Sequence, residues 1–348
     1  MRNWPSGMGH RGTIGLKTKW EQTSMGRFLR KIGIDAVDSR DHFFCMTFHP
    51  NLEGLRRSIE HVGLLQPIIV REKSQGSGYQ VISGFKRLTV CEQLGLEEIE
   101  IFSYRETELG DPEGLNLALH ENLTTRGLNL IEKSMVLNKL IHRFGLSEES
   151  ITGDYMPLLG LQPNIKILGK VSQLVQLRAE IKRYIVEEKV SLENAAQLLE
   201  FPPEDQAEIG RLVSKLKLGE NKLKEVLTFL REISLRDGLT VRELIQGEVE
   251  AIASDSSLSK VQSTHRVRRR LREMRFPQLT ELERDFRERR KGLGLGPGIS
   301  LNPPPFFEGD TFRLEFGFKD MGEFKAILLK LMEASERKEL GEMIDAVP

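Results

Sequence analysis

Two cations placed just behind a glycine, in Ser83-Gly84-Phe85-Lys86-Arg87, are the residues whose types and spacing most directly suit chemistry. A short apolar run (Tyr79, Val81, Ile82) stops at Ser83-Gly84, and Leu88, Val90, Cys91 and Leu94 then recur at helical spacing until Gly95. That order reads as strand, tight turn and helix N-terminus. Such a turn aims backbone N–H groups and the positive end of the helix dipole at one point. Lys86 and Arg87 add full charges there, so the chemistry it suits is phosphate binding. The same residues also fit an ordinary strand-to-helix connection with two solvated cations. A second concentration of charge, His265 to Arg275, holds six arginines and one acid. A helix so charged either faces solvent or lies along a polyanion, where phosphate contacts give affinity without sequence choice. Arg266, Arg269, Arg270 and Arg272 share much of one helical surface and are the candidate DNA contacts there.

The elements that must position the glycine turn are legible on both sides of it. Upstream, Leu55 to Val62 reads as an amphipathic helix closed by Gly63, and Leu64-Leu65-Gln66-Pro67 leads into the strand Ile68-Ile69-Val70. Downstream, a helix from about Asp111 carries His120-Glu121-Asn122-Leu123-Thr124-Thr125-Arg126, then Gly127-Leu128-Asn129-Leu130-Ile131-Glu132.

The set "QPIIV", "YQVISGFKRL" and "ENLTTRGLNLIEK", in this order and spacing, resembles the N-terminal domain of the ParB/RepB-type partition proteins. The resemblance implies a nucleoside triphosphate, CTP with Mg²⁺, at the glycine turn. Ser83, Gly84, Phe85, Lys86 and Arg87 would surround its phosphates, Gln66 and Pro67 would line the pocket, and Arg126 would add a further cation. Glu121 and Asn122 would position metal and water, with Glu121 the candidate catalytic residue of a slow CTPase. Two departures bear on hydrolysis. The family turn usually reads Gly-Glu-Arg-Arg, where this one reads Gly84-Phe85-Lys86-Arg87. The family arginine usually follows its glutamate by four residues, whereas Arg126 follows Glu121 by five. On a helix the extra residue swings a side chain by about 100°, so Arg126 reaches the same phosphate only where the helix has already ended.

Composition bounds the class. The 348 residues predict two or three domains, and 39% hydrophobic content supports real cores. No apolar run reaches bilayer length, and Met1 to Pro5 lacks the apolar core of a signal peptide. Cys45 and Cys91 read as buried, reduced thiols of a cytoplasmic protein, without metal-ligand spacing; association with the nucleoid is what the resemblance implies. A formal net charge of zero argues against a uniformly basic coat but permits local patches.

The chain thus reads as an α+β multidomain protein. Residues 1–40, with eight Lys or Arg against three acids, are expected to form a flexible basic arm. In the resembling family such an arm engages a ParA-type ATPase. Residues 41–130 form the small α/β ParB/sulfiredoxin-like domain, with Phe43 to Phe48 as its first strand. Residues 131–246 read as an all-α helix-turn-helix domain. By register Asn164 opens the recognition helix, with Ile165, Ile167, Leu168, Val171 and Leu174 inward. Asn164, Lys166, Lys170, Ser172 and Gln173 face outward, as side chains suited to phosphates and adenine edges, although a solvated face has the same composition. Residues 247–263 read as a polar linker and Gly292 to Pro305 as a loop. Thr311 to Phe318 alternates as a half-buried strand, followed by a helix from about Met321. Residues 264–348 are too little chain to bury both faces alone. A homodimer through this helix-strand-strand-helix module resolves that, as the resemblance also implies.

Taken together, these features describe a partition or nucleoid-organising protein that closes as a CTP-dependent dimeric clamp on double-stranded DNA. One alternative is a ParB-related transcription regulator without nucleotide. A sulfiredoxin- or nuclease-type enzyme ranks last: the turn holds Phe85 and Lys86 where sulfiredoxin chemistry needs cysteine, and only Glu121 and Asp111 stand near as carboxylates.

Overall fold

The computed structural model describes residues 26–73 and 78–346, in two compact units divided between Arg211 and Leu212. Residues 1–25 of the expected flexible arm lie outside the described residues, as do residues 74–77.

The first unit is built on a five-stranded sheet of β1 (Phe28–Gly33), β2 (Val37–Asp38), β3 (Ile68–Glu72), β4 (Tyr79–Ser83) and β5 (Glu98–Tyr104), in the order β1-β5-β3-β4-β2. β3 runs antiparallel to β4 and parallel to β5. The sheet is covered on both faces, and β4 shows why. Its period of two sends Val81 into a core with Ile59 of α1 (Glu53–Val62) and Leu88 and Cys91 of α2 (Phe85–Gln93). The next residue, Ile82, points into a second core with Leu115 and Leu119 of α3 (Asp111–Thr125). Cys45 and Cys91 are buried free thiols, as expected.

Two local expectations fail for the same reason, a partner distant in sequence. Residues 28–33, read as part of a basic arm, form β1, because β5 supplies the antiparallel ladder, and β5 and β3 each supply an acid for its cations. Lys31 Nζ lies 2.6 Å from Glu98, and Arg30 lies 3.1 Å from Glu72. Phe43 to Phe48, read as a strand, is irregular. Phe44 and Met46 plug the second core instead. Lys139 supplies hydrogen bonds that a ladder would otherwise give, donating through Nζ to the carbonyls of His42, Phe43 and Cys45 at 3.1, 2.7 and 2.6 Å.

Lys139 belongs to α4 (Leu130–His142), whose N-terminus has a full capping box of Asn129 and Glu132. After it come α5 (Glu148–Ser150), capped by Ser147 as expected, a π-turn (Ile151–Tyr155) and α6 (Met156–Leu158). Then follow α7 (Ile165–Gln173), α8 (Ala179–Glu187), α9 (Leu192–Leu198) and α10 (Pro203–Ser214). The second core runs without a break from Phe44 and Leu119 through Leu137, Leu140 and Tyr155 to Leu168 and Val171. The boundary expected near residue 130 therefore lies inside one core.

The second unit holds α11 (Glu220–Asp237), α12 (Val241–Ile245), α13 (Glu248–Ser254), α14 (Lys260–Arg275) and α15 (Pro277–Gly292). The expected linker is largely helical, because Val249 and Ala253 are buried on α13 and Ser259 caps α14. The expected loop over 292–305 contains β6 (Ile299–Asn302), paired antiparallel with β7 (Arg313–Phe316). Two helices close the chain, α16 (Met321–Ser335) and α17 (Lys338–Asp345). Ile299, Leu301, Ile327 and Met343 form a small core, while Leu314, Phe318, Leu329 and Met332 stay largely exposed. Among the described residues no helix is long and apolar enough to cross a membrane.

The role of Lys139 is open to test. Lys139→Met leaves the part-buried carbonyls of Phe43 and Cys45 without this donor and is expected to lower unfolding free energy by about 1–3 kcal/mol. An unchanged urea midpoint would show that the 42–45 segment holds itself.

Candidate functional site

The strand-turn-helix read from sequence is present. Gly84, between β4 and α2, adopts φ +104°, a conformation that side chains rarely take. A Cβ there would also meet Ile68 Cγ2 at 3.3 Å. No side chain caps α2, so its first-turn N–H groups are not taken by one. From this turn the Arg87 side chain runs across the site. It donates to the Gln66 and Pro67 carbonyls, both at 3.1 Å, and to Glu121 Oε1 at 2.7 Å. Ser83 donates to the other oxygen, Glu121 Oε2, at 2.6 Å. One guanidinium thus ties the Gln66-Pro67 lead-in, the glycine turn and the end of α3 together.

Arg126 holds the far wall. Helix α3 ends at Thr125 and Arg126 is non-helical (φ −153°), which meets the condition set by its five-residue spacing from Glu121. Its Nε donates to Asn122 Oδ1 at 3.1 Å, and a terminal nitrogen reaches Glu132 Oε2 at 2.7 Å. Glu132 is only 1% exposed. Lys86, by contrast, has no ion pair among the described residues. Burial pulls its ammonium below the ordinary lysine pKa; Arg126 pushes the same way and Glu132 opposes.

All the sequence-predicted nucleotide residues except Pro67 line a single cavity of about 170 Å³, namely Gln66, Ser83, Gly84, Phe85, Lys86, Arg87, Glu121, Asn122 and Arg126. Pro67 contributes through its carbonyl behind Arg87. Met46, Thr47, Leu55 and Thr125 line it too. Sequence reading passed over Met46 and Thr47 because their apolar run was taken for a strand. The volume is below the usual ~300 Å³ floor of small-molecule pockets, so it suits a phosphate group more than a whole nucleotide.

The candidate DNA-reading helix is α7. Lys166, Lys170 and Gln173 are exposed as expected. Asn164 is the N-cap, its Oδ1 accepting from the Lys166 and Ile167 N–H groups, so that oxygen is committed to the helix. Two side chains are reversed from expectation. Ile165 is 59% exposed, since it stands at the first helical position, ahead of the packed turns. Ser172 is buried, because it lies four residues after buried Leu168 on the face that packs against α4.

A family model described as the ParB N-terminal domain matches residues 19–123, the stretch that carries Gln66, the glycine turn and Glu121-Asn122. A probable chromosome-partitioning protein ParB of Vibrio cholerae is 26% identical over 219 residues, 60% of this chain and 69% of that one. The chain carries a ParB N-terminal domain. A probable plasmid-partitioning ParB of Thermus thermophilus is 35% identical over 210 residues, 56% of this chain and 66% of that one. The chain spans 54 to 69% of the length of the curated ParB and nucleoid occlusion relatives it matches. A C-terminally truncated ParB of Caulobacter crescentus, solved in complex with CTP-gamma-S, is 23% identical with a TM-score of 0.24, covering 53% of this chain and 97% of that one. The ParB N-terminal match ends before Arg126, the residue whose spacing departs from the family pattern.

Outside that match, the arginines of α14 are largely neutralised. Arg272 pairs with Glu283 at 2.7 Å, and Arg269 and Arg270 lie 3.8 and 3.6 Å from Glu273. Arg268 pairs with Glu225, and Arg275 with Glu232, both on α11. Of the four arginines singled out as DNA contacts, Arg266 alone makes no ion pair among the described residues. Glu273 is on α14 itself, whereas Glu225, Glu232 and Glu283 lie on other helices, where no local pattern points to them.

Arg87 and Lys86 should differ in what they do for the fold. Arg87→Ala strips Glu121 and two carbonyls of a donor and is expected to lower stability by about 1–3 kcal/mol. Lys86→Ala, with no partner to lose, should stay within about 0.5 kcal/mol. Equal urea midpoints for the two variants would contradict the assignment of Arg87 as the site's structural tie.

Proposed function

We propose that this chain is a DNA-binding protein of chromosome or plasmid partition or of nucleoid organisation, which binds CTP at the Gly84 turn and closes as a dimer on double-stranded DNA. The observation that carries it is the convergence of three separated stretches, Gln66, Ser83 to Arg87 and Glu121 to Arg126, on one cavity at a helix N-terminus. CTP as the nucleotide follows from the family resemblance and agrees with the Caulobacter crescentus ParB solved with a CTP analogue. DNA binding is supported by α7, whose exposed Lys166, Lys170 and Gln173 stand on a helix seated in the same core as the pocket. The dimer is supported by the exposed Leu314, Phe318, Leu329 and Met332 around the two-stranded sheet β6-β7. A ParA-type partner for the N-terminal arm, read over residues 1–40, and slow CTP hydrolysis through Glu121 follow from resemblance alone.

The Mg²⁺ that the resemblance implies needs free oxygen ligands in octahedral array. Glu121 has both oxygens engaged, by Arg87 and Ser83, and Asn122 Oδ1 is engaged by Arg126. Phe85 supplies no oxygen. This donor set does not fit a resident Mg²⁺.

Calorimetric titration of the full chain with CTP, ATP, GTP and UTP tests the nucleotide reading, with sedimentation of the same samples reporting the dimer. Binding of CTP alone is expected; no heat with CTP, or a monomer with and without it, would overturn the respective part. For DNA, Lys166→Gln with Lys170→Gln should flatten the slope of log K against log salt by about two, at ~0.9 per phosphate contact. Fluorescence anisotropy of a labelled duplex reads that slope, and an unaltered slope removes α7 from the interface.

A further inference from the structure

We infer that the triphosphate at the Gly84 turn is neutralised by the chain's own cations, Lys86 and Arg126, and not by a divalent metal ion; this rests on the nucleotide reading above. The polar groups around the cavity divide sharply by commitment. The carboxylate oxygens are taken. Glu121 accepts from Arg87 and Ser83, and Glu132, behind Arg126, accepts from Arg126, the Phe48 N–H and the Asn129 N–H. Asn122 Oδ1 accepts from Arg126 Nε.

The donors are the groups with capacity to spare. Lys86 has no ion pair among the described residues. One terminal nitrogen of Arg126 reaches only the Thr47 hydroxyl, at 3.5 Å. The N-terminus of α2 has no side-chain cap. A pocket whose spare valences are N–H groups accepts an anion as it stands.

A metal ion would have to compete with pairs already made. To ligate Glu121 it must share a carboxylate whose charge is already neutralised by the Arg87 guanidinium, a side chain only 13% exposed. It would also enter a positive field. Burial, and after it Arg126, hold the Lys86 ammonium below its ordinary pKa against the pull of Glu132, and a further cation would meet the same burial and the same guanidinium. A triphosphate reverses both effects. It leaves the Arg87–Glu121 pair intact and relieves the repulsion between Lys86 and Arg126.

The test is calorimetric titration of the full chain with CTP, once with Mg²⁺ present and once with excess EDTA. The dissociation constants are expected to agree within about fivefold, and Lys86→Ala should weaken binding by about tenfold in both buffers. An affinity more than about fivefold weaker in EDTA overturns the inference, as does a Lys86→Ala variant that binds like wild type. Absence of binding in both buffers instead removes the nucleotide reading, and this inference with it. Loss confined to the chelator removes the inference alone.

Discussion

The first unit depends on one buried carboxylate. Glu132 is 1% exposed and its carboxylate makes three connections: to the Phe48 N–H, to the Arg126 guanidinium and, as N3 of the capping box, to the Asn129 N–H at the start of α4. Burying a carboxylate costs several kcal/mol unless it is paired and hydrogen-bonded. That requirement fixes three things at once: the irregular 42–48 segment, the end of α3 and the direction in which α4 leaves. Because Arg126 also lines the cavity, the group satisfying the buried charge is part of the pocket wall. The site's geometry and the junction of sheet with helices are set by the same ion pair.

Much of this was legible locally. β3, β4, β5, α1 and α2 follow from period and punctuation, and the caps at Ser147, Asn164 and Gly84 stand where short-range rules place them. What escaped was set at a distance. β1 is made by its ladder with β5, some seventy positions away, and nothing in its own composition says strand. The Phe43 to Phe48 run has strand-like residues but no strand to pair with, so its carbonyls turn to Lys139. On α7 the misplaced residues are Ile165, at the frayed first turn, and Ser172, where the 3.6-residue period overrides the preference of a hydroxyl for water.

The site shows the same division. The residues that would gather were readable from three motifs, since each has its own turn or helix end. Their commitments were not. Arg87 was expected to grip phosphate and instead has its nitrogens on Glu121 and two carbonyls, while Lys86, the plainer charge, is unengaged. Likewise the arginines of α14 promised a polyanion face and are mostly met by Glu225, Glu232, Glu273 and Glu283. The balanced formal charge of the chain is consistent with this pairing. Side-chain type is local information, whereas which charge neutralises which depends on tertiary placement.

The unbroken core from Phe44 to Val171 has a bearing on how such chains diversify. A crossover near residue 130, at the seam between mixed and all-helical sequence, would expose Leu137, Leu140 and Leu119 on the two halves. The smallest piece that one gene can lend another with its interior intact is therefore the stretch that ends near Arg211. Pocket and candidate reading helix share one interior, so a change in the packing of either is felt by the other.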